Sequence, residues 1–277
     1  MDLNNEFRPE LAVITKVTEE SPNTKTFAVQ YKDKNLQKKF FFLPGKFVEV
    51  SVFGYGEMPI SISSSPYKTD SFDLTVMDVG KITHAMHQLK KGQFIGIRGP
   101  FGKGYPLNRF RRKNVVVVAG GCGFAPVGSG LRGLLQKREH FGDLYLFYGA
   151  RSPEEFLFKN DLKKWQKGKE LNVQLATDKK SKGWACHDGF VTDLITKTKF
   201  PAKNTVAMVC GPPVMIDTAI AKLNKKGIKD EDIFISMERL MHCGVGKCGH
   251  CNIGKSYMCI QGPVLSAKEL KELPREK

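Results

Sequence analysis

The residues richest in chemistry lie near the C-terminal end: Cys243-Gly-Val-Gly-Lys-Cys248-Gly-His-Cys251, followed by Cys259. The spacing C-x4-C-x2-C-x7-C places four soft thiolate ligands within seventeen residues, interleaved with Gly244, Gly246, Gly249 and Gly254. Four thiolates so close together ask for a metal, and glycines let the chain turn sharply around one because they reach positive φ without a Cβ penalty. Two groups suit such a donor set, a [2Fe–2S] cluster and a structural zinc ion. The first three cysteines follow the C-x4-C-x2-C order of plant-type [2Fe–2S] loops, whereas zinc ribbons present two separate C-x2-C knuckles. A plant-type fourth cysteine lies much farther along, so the nearness of Cys259 keeps zinc open. A disulfide framework is disfavoured, since the seven cysteines are odd in number and no secretory leader is read.

The elements that must position this loop fall into two patterns. Residues 11–17, 24–31, 47–52, 59–63, 72–76 and 94–98 are rich in β-branched and aromatic types and punctuated by turns, which predicts a small antiparallel barrel. A single helix is expected there, over 83–89, with Thr83 as its N-cap. Gly80-Lys81-Ile82-Thr83 would then enter the helix as a candidate phosphate site.

Near residue 110 the pattern changes. The apolar run 115–119 reads as a parallel strand buried on both faces, and it leads into Gly120-Gly121-Cys122-Gly123-Phe124-Ala125-Pro126 and a helix over 127–136. Strand, glycine turn and helix together make a nucleotide-binding corner, although G-G-x-G-x-A-P differs from the G-x-G-x-x-G fingerprint. Strands over 144–148, 171–177, 206–210 and 233–237 alternate with helices over 153–165 and 213–225 and a short element at 189–195. That is the rhythm of an open, mostly parallel sheet. Three corners, Gly120–Gly123, Gly149-Ala-Arg151 and Cys210-Gly211-Pro212-Pro213, fall at the strand ends where such sheets gather ligands. The expected division is 1–108, 109–236 and 237–277, with a Lys-rich tail from 267 that forms a short helix or frays.

The chain of 277 residues carries 44 Lys and Arg against 28 Asp and Glu, a net charge of +16. The basic residues are scattered, the one tight cluster being Arg109, Arg111, Arg112 and Lys113, and no nucleic-acid motif accompanies them. Nucleic acid is therefore not an expected partner; a basic surface suits self-repulsion, or an acidic partner such as a ferredoxin. No apolar run of membrane-spanning length occurs, and a cytoplasmic protein is expected.

Pro44-Gly-Lys-Phe47, Pro59-Ile60-Ser61, Gly80-Lys-Ile-Thr83, Gly120-Gly-Cys-Gly-Phe-Ala-Pro126, Tyr148-Gly-Ala-Arg151 and Cys210-Gly-Pro-Pro-Val-Met215 occur in the order seen in the ferredoxin–NADP reductase superfamily. With the cysteine loop at its end, the chain resembles that superfamily's flavin and iron–sulfur electron-transfer subunits. These include the gamma subunits of sulfhydrogenase-type NiFe hydrogenases and the corresponding subunits of anaerobic sulfite reductase and, more distantly, of dihydroorotate dehydrogenase. The resemblance implies an antiparallel FAD-binding barrel, an open parallel-sheet NAD(P)-binding domain and a small C-terminal [2Fe–2S] lobe.

It further implies FAD against Met58, Pro59, Ile60 and Ser61, with Thr75, Val76 and Met77 nearby and Gly80, Lys81, Ile82 and Thr83 around the pyrophosphate. NAD(P)H as substrate would lie across Gly120, Gly121, Gly123, Ala125 and Pro126, with Arg151, Pro212 and Met215 beside it. Cys210 and Gly211 would guide the nicotinamide to the flavin, giving Cys210 the catalytic place; a plain buried thiol is the alternative for it. Cys122, Cys186 and His250 are read as packing or loop residues. Cys243, Cys248, Cys251 and Cys259 would ligate the cluster. Where the superfamily has R-x-Y-S/T, this chain has Met58-x-Ile60-Ser61, so charge neutralisation falls to Lys81, the helix start or another residue. Arg151, Lys179, Lys180 and Lys182 are candidates for a 2′-phosphate.

The resulting function is that of an oxidoreductase subunit moving electrons between NAD(P)H and a partner redox subunit of a hydrogenase, sulfite reductase or related complex. Two alternatives stay open: a flavin-free structural or regulatory subunit with a four-cysteine zinc site, and a free-standing NAD(P)H:ferredoxin reductase.

Overall fold

The structure is a computed structural model that describes residues 5–178 and 184–274. The first half is built from β1 (Glu10–Ser21), β2 (Thr24–Tyr31), α1 (Lys34–Lys39), β3 (Phe47–Val52), β4 (Gly56–Ser61), β5 (Phe72–Met77), α2 (Lys81–His87) and β6 (Phe94–Phe101). Its antiparallel sheet runs β4-β3-β6-β1-β2-β5, and the two edge strands meet through the single bridge Ile62↔Leu74. Alternate strand residues, among them Ile14, Phe27, Val29, Val48, Val50, Leu74 and Ile97, fill the barrel and are at most 1% exposed. That periodicity of two is what made the strands readable from sequence.

The second half contains β7 (Asn114–Gly120), α3 (Phe124–Gln136), β8 (Leu144–Ala150), α4 (Lys159–Lys167), β9 (Asn172–Thr177), β10 (Cys186–Asp188), α5 (Val191–Lys197), β11 (Thr205–Cys210), α6 (Pro213–Lys225) and β12 (Ile233–Ser236). The chain then makes the small hairpin β13 (Asn252–Ile253) and β14 (Ser256–Tyr257) before β15 (Val264–Ser266) and α7 (Ala267–Glu272). The sheet order is β10-β9-β8-β7-β11-β12-β15, parallel throughout except that β15 runs antiparallel to β12.

Several sequence expectations need correction. The barrel half carries a second helix, α1, capped by Asp33, whose carboxylate accepts the N–H groups of Asn35 and Leu36. Helix α2 starts at Lys81, so Thr83 is not its N-cap but its third residue; from there its hydroxyl accepts the N–H groups of Val79 and Gly80. The expected helix over 153–165 splits into a 3-10 turn at Pro153–Glu155 and α4, because Phe156, Leu157 and Phe158 are buried consecutively, which one face of a surface helix cannot do. Helix α3 begins at Phe124, with Pro126 tolerated in the first turn. The Lys-rich tail does form the expected short helix, α7, entered from β15, and Ser266 and Glu269 make a reciprocal capping box there.

Helix α3 is also the joint between the halves. Ser129 Oγ donates to the Ser64 carbonyl at 2.6 Å and Arg132 donates to the Ser63 carbonyl at 2.8 Å, both on the chain that leaves β4. Arg132 is held by Asp161 at 2.9 Å and stacks over the Phe158 ring at 4.1 Å. Glu20 at the end of β1 accepts the Phe158 N–H across the same joint.

Candidate cofactor sites

The four cysteines of the C-terminal loop are gathered together: Cys248 lies beside Cys243, and Cys259 is near both Cys251 and Cys243. Backbone N–H groups point at sulfur: Val245 and Lys247 at Cys243, Gly246 at Cys259 at 3.1 Å, and the Cys259 N–H at Cys251. Gly244, Gly246, Gly249 and Gly254 all have positive φ. At Gly244 a Cβ would also sit 2.4 Å from the Phe101 ring, so only glycine fits that turn against the barrel. Cys243, Cys251 and Cys259 are buried and Cys248 faces outward. Among the described residues no three Cys, His, Asp or Glu side chains converge on one point as a single ion would need. Gathered thiolates with N–H groups aimed at them are a donor set that fits an iron–sulfur cluster.

Beneath the loop lies a cluster of charges that the sequence reading missed. Arg98 of β6, 4% exposed, grips both carboxylate oxygens of Glu57 (3.1 and 2.8 Å) and donates to the carbonyls of Cys243 (2.9 Å) and His242 (3.1 Å). Two opposing effects set the Glu57 carboxyl: burial raises it, while the Arg98 and Ser51 hydrogen bonds lower it and prevail. Glu49 of β3, directly opposite Arg98 in the strand register, is fully buried, and among the described residues neither of its oxygens has a hydrogen-bond partner. Burial, opposed by Arg98 and reinforced by Glu57, pushes its carboxyl from 4.5 up to about 8. The sequence signal was present: a charged residue within Phe47–Val52, a strand buried along its whole length.

The flavin-side residues flank a gap in the barrel wall. Strand β4 is hydrogen-bonded to β3 on one side and β5 to β2 on one side. Their facing edges join at Ile62↔Leu74 and through Ser63 and Ser64, which bond to Asp73 and Thr75 of β5. Pro59, Ile60 and Ser61 are half-buried along one edge, Met77 along the other, and α2 caps the end of the gap, with Ile82 packed on Gly56. Unpaired strand edges offer backbone donors and acceptors to a planar polar ring, so the gap fits a flavin.

Some side chains there are committed elsewhere. Met58 and Val76 lie in the barrel core, and the Thr75 hydroxyl is taken up by Thr26 and Ser63, so these three offer backbone only. Gly80 has open space where a Cβ would stand, and Lys81 is exposed beside it.

On the other half, the corners at the ends of β7 and β11 press together. A Cβ at Gly123 would lie 2.7 Å from the Cys210 carbonyl, and Cβ atoms at Gly120 and Gly211 would lie 2.5 and 2.6 Å from the Met215 thioether. Gly121, at φ +53, faces open space, leaving a cradle over the start of α3 that fits a pyrophosphate. Ala125 and Pro126 are buried in the first turn of α3 and contribute its backbone end, and Pro212 caps α6.

Cys210 ends β11 with its thiol enclosed; burial, with the nearby Cys122 and Glu238, pushes the thiol up to about 12, against hydrogen bonds from Ser236 and Gly211. Cys122 is likewise pushed up by burial, to about 11. Both stay neutral near pH 7. Arg151 is exposed past the end of β8, while Lys179, Lys180 and Lys182 lie outside the described residues.

Family models match along nearly the whole chain. Residues 11–105 match an oxidoreductase FAD-binding domain, 117–220 an oxidoreductase NAD-binding domain, and 238–271 the iron–sulfur cluster binding domain of dihydroorotate dehydrogenase B. Sulfhydrogenase 2 subunit gamma of Pyrococcus furiosus is 37% identical, over 95% of this chain and 96% of the relative. The probable dihydroorotate dehydrogenase B (NAD(+)) electron transfer subunit of Methanocaldococcus jannaschii is 33% identical, over 95% and 92%. In fold, a solved NADH-dependent reduced ferredoxin-NADP oxidoreductase superposes with TM-score 0.75 at 23% identity, over 95% of this chain and 89% of that one. The FAD/NAD binding domain of a Vibrio cholerae nitric oxide dioxygenase does so with TM-score 0.73 at 17% identity, over 82% of this chain and 98% of its own. A barrel with a flavin gap, a parallel sheet with a glycine corner and a cysteine loop pinned to the barrel thus identify the chain as a member of the family of oxidoreductase electron-transfer subunits that includes those of the sulfhydrogenases and of dihydroorotate dehydrogenase B.

Proposed function

We propose that this subunit passes electrons between NAD(P)H and a redox partner subunit through FAD and a [2Fe–2S] cluster. FAD supplies the exchange between a two-electron hydride and single electrons, and the cluster supplies a one-electron exit. The protein's own part is placement. Pro59–Ser61 and the β5 edge hold the flavin ring, with the backbone of Met58, Thr75, Val76 and Met77 alongside; Gly80–Thr83 take its pyrophosphate. Gly120, Gly121, Gly123 and the start of α3 at Ala125 and Pro126 cradle the dinucleotide, with Arg151 at its far end. Cys210, Gly211, Pro212 and Met215 form the wall that aims the nicotinamide at the flavin. Since Cys210 is a neutral thiol, it shapes and dries the contact rather than attacking anything. Cys243, Cys248, Cys251 and Cys259 would ligate the cluster.

The observation that carries this reading is the cysteine loop itself: backbone N–H groups aim at the sulfurs of Cys243, Cys251 and Cys259, within residues that match an iron–sulfur cluster binding domain. The partner is taken as a subunit of a hydrogenase, sulfite reductase or related assembly, from the sulfhydrogenase gamma relatives. A cytoplasmic setting suits a nicotinamide donor and seven free cysteines; among the described residues no helix is long and apolar enough to cross a membrane. The functional units proposed are 1–108, 109–236 and 237–277.

Anaerobic purification tests the reading. The protein is expected to show flavin and iron–sulfur absorption together, with an EPR signal on reduction, and Cys259→Ser is expected to lose or alter that signal while keeping FAD. Colourless protein carrying one zinc would overturn it.

A further inference from the structure

We propose that Arg98 is the positioning residue of the cluster site: it locks the first cluster cysteine to the flavin-bearing strand, and its buried positive charge sets the potential at which the site takes an electron. The inference rests on the electron-transfer reading above and goes beyond it, because the residue lies far from the cysteine motif in sequence.

The geometry is that of a clamp. Arg98 sends its Nε and Nη2 to the two oxygens of Glu57, which neighbours Met58 on β4, and its Nη1 and Nη2 to the carbonyls of Cys243 and His242. Nη1 also donates to the Glu6 carbonyl, at 3.1 Å, and the guanidinium faces the rings of Phe101 and Phe7. A planar fork with five donors can hold a carboxylate and two carbonyls at once; a lysine ammonium cannot. The same group therefore touches the strand that edges the flavin gap and the residue that begins the cysteine motif.

The electrostatics follow from burial. Arg98 is 4% exposed, so water screens its charge poorly and its field reaches the loop above. Two carboxyls face one guanidinium, yet only Glu57 is shaped to be ionised, accepting from both Arg98 and Ser51. Glu49, opposite Arg98 in the register, makes no hydrogen bond to it among the described residues, so Glu57 is the one carboxylate that the guanidinium grips there. When one electron arrives from the flavin side, no bond forms or breaks and the site gains one negative charge. The positive charge beneath Cys243 favours that state, and the Glu57 charge opposes it.

The test is redox titration of the whole protein, followed by EPR and visible absorption, for wild type, Arg98→Gln, Arg98→Lys and Glu57→Gln. Arg98→Gln is expected to disfavour cluster reduction at least tenfold, a fall of about 59 mV for a one-electron couple. Glu57→Gln should move the potential the opposite way, and Arg98→Lys should recover part of the loss while broadening the EPR signal. A merely structural role would not give shifts of opposite sign. Unchanged potentials in both Arg98→Gln and Glu57→Gln, or shifts in the same direction, would overturn the proposal. Should Arg98→Gln fail to hold iron, Glu57→Gln decides alone: a raised potential supports the proposal and an unchanged one sinks it. Wild-type protein without an iron–sulfur signal would instead remove the electron-transfer reading and this proposal with it.

Discussion

Glu49 is the residue whose titration can be read directly in stability. Its carboxyl titrates at 4.5 when exposed and about 8 when folded, so between those values the folded state holds a proton that the unfolded chain has released. The contribution of Glu49 to stability is therefore complete below pH 4.5 and is lost as pH rises toward 8, by at most about 1.4 kcal/mol per pH unit. Denaturant titrations from pH 6 to 9 should show that slope in wild type and a flatter one in Glu49→Gln, with Arg98, Glu57 and Cys243 the charged or titratable neighbours in both. An identical slope in the two would refute the assignment. Glu49 left a trace in the sequence as a charge inside an apolar strand, but its meeting with Glu57 and Arg98 was illegible, because the three sit on three strands and only the register of β3 with β4 and β6 brings them together. The cysteines were legible because all four belong to one loop, where spacing along the chain constrains spacing in space.

At the scale of elements, the strand-end corners were read correctly as neighbours, but the sequence did not show how hard they press on each other. Gly123 is the least yielding point, with no room for a Cβ against the Cys210 carbonyl and the Gly211 nitrogen, both rigid backbone. Gly123→Ala should cost about 1–3 kcal/mol through overpacking and displace β11 from the start of α3. We expect a raised KM for NAD(P)H with FAD content unchanged, checked by steady-state reduction of ferricyanide; an unaltered KM would mean that the corner does not form the dinucleotide site. Helix boundaries were less legible. Two aromatics flanking Leu157 read as helix but are buried too continuously to be one, and Thr83 acts from inside α2 rather than before it.

For the whole molecule, hydride transfer needs the two halves held at one distance, and α3 does this through a few polar contacts. Arg132 donates across the joint to Ser63 and is held in place from its own half by Asp161 and the Phe158 ring. Arg132→Leu should lower stability by about 1–3 kcal/mol, since it leaves Asp161 and a buried carbonyl without their donor. Unfolding should become two-stepped as the halves uncouple, visible when flavin fluorescence and far-UV circular dichroism are followed together. Coincident transitions would show that other contacts carry the joint. The barrel and the parallel sheet were both legible from periodicity, but the joint was not, because its partners are single polar groups scattered from Glu20 to Lys159.

Strands β12 and β15 are antiparallel neighbours, with Ser236 opposite Val264. Residues 237–263, the cysteine loop included, are thus the connection of one long hairpin, whose two ends stand a single strand spacing apart, about 4.8 Å. A connection that leaves and returns at the same edge can be lengthened, exchanged or reduced to a tight turn without altering the order of any other strand. The one-electron exit is in that sense a cassette. An ancestor with only the barrel and the sheet could have acquired it in one insertion, and a designer could remove it or move it to a related reductase by cutting at the same two places.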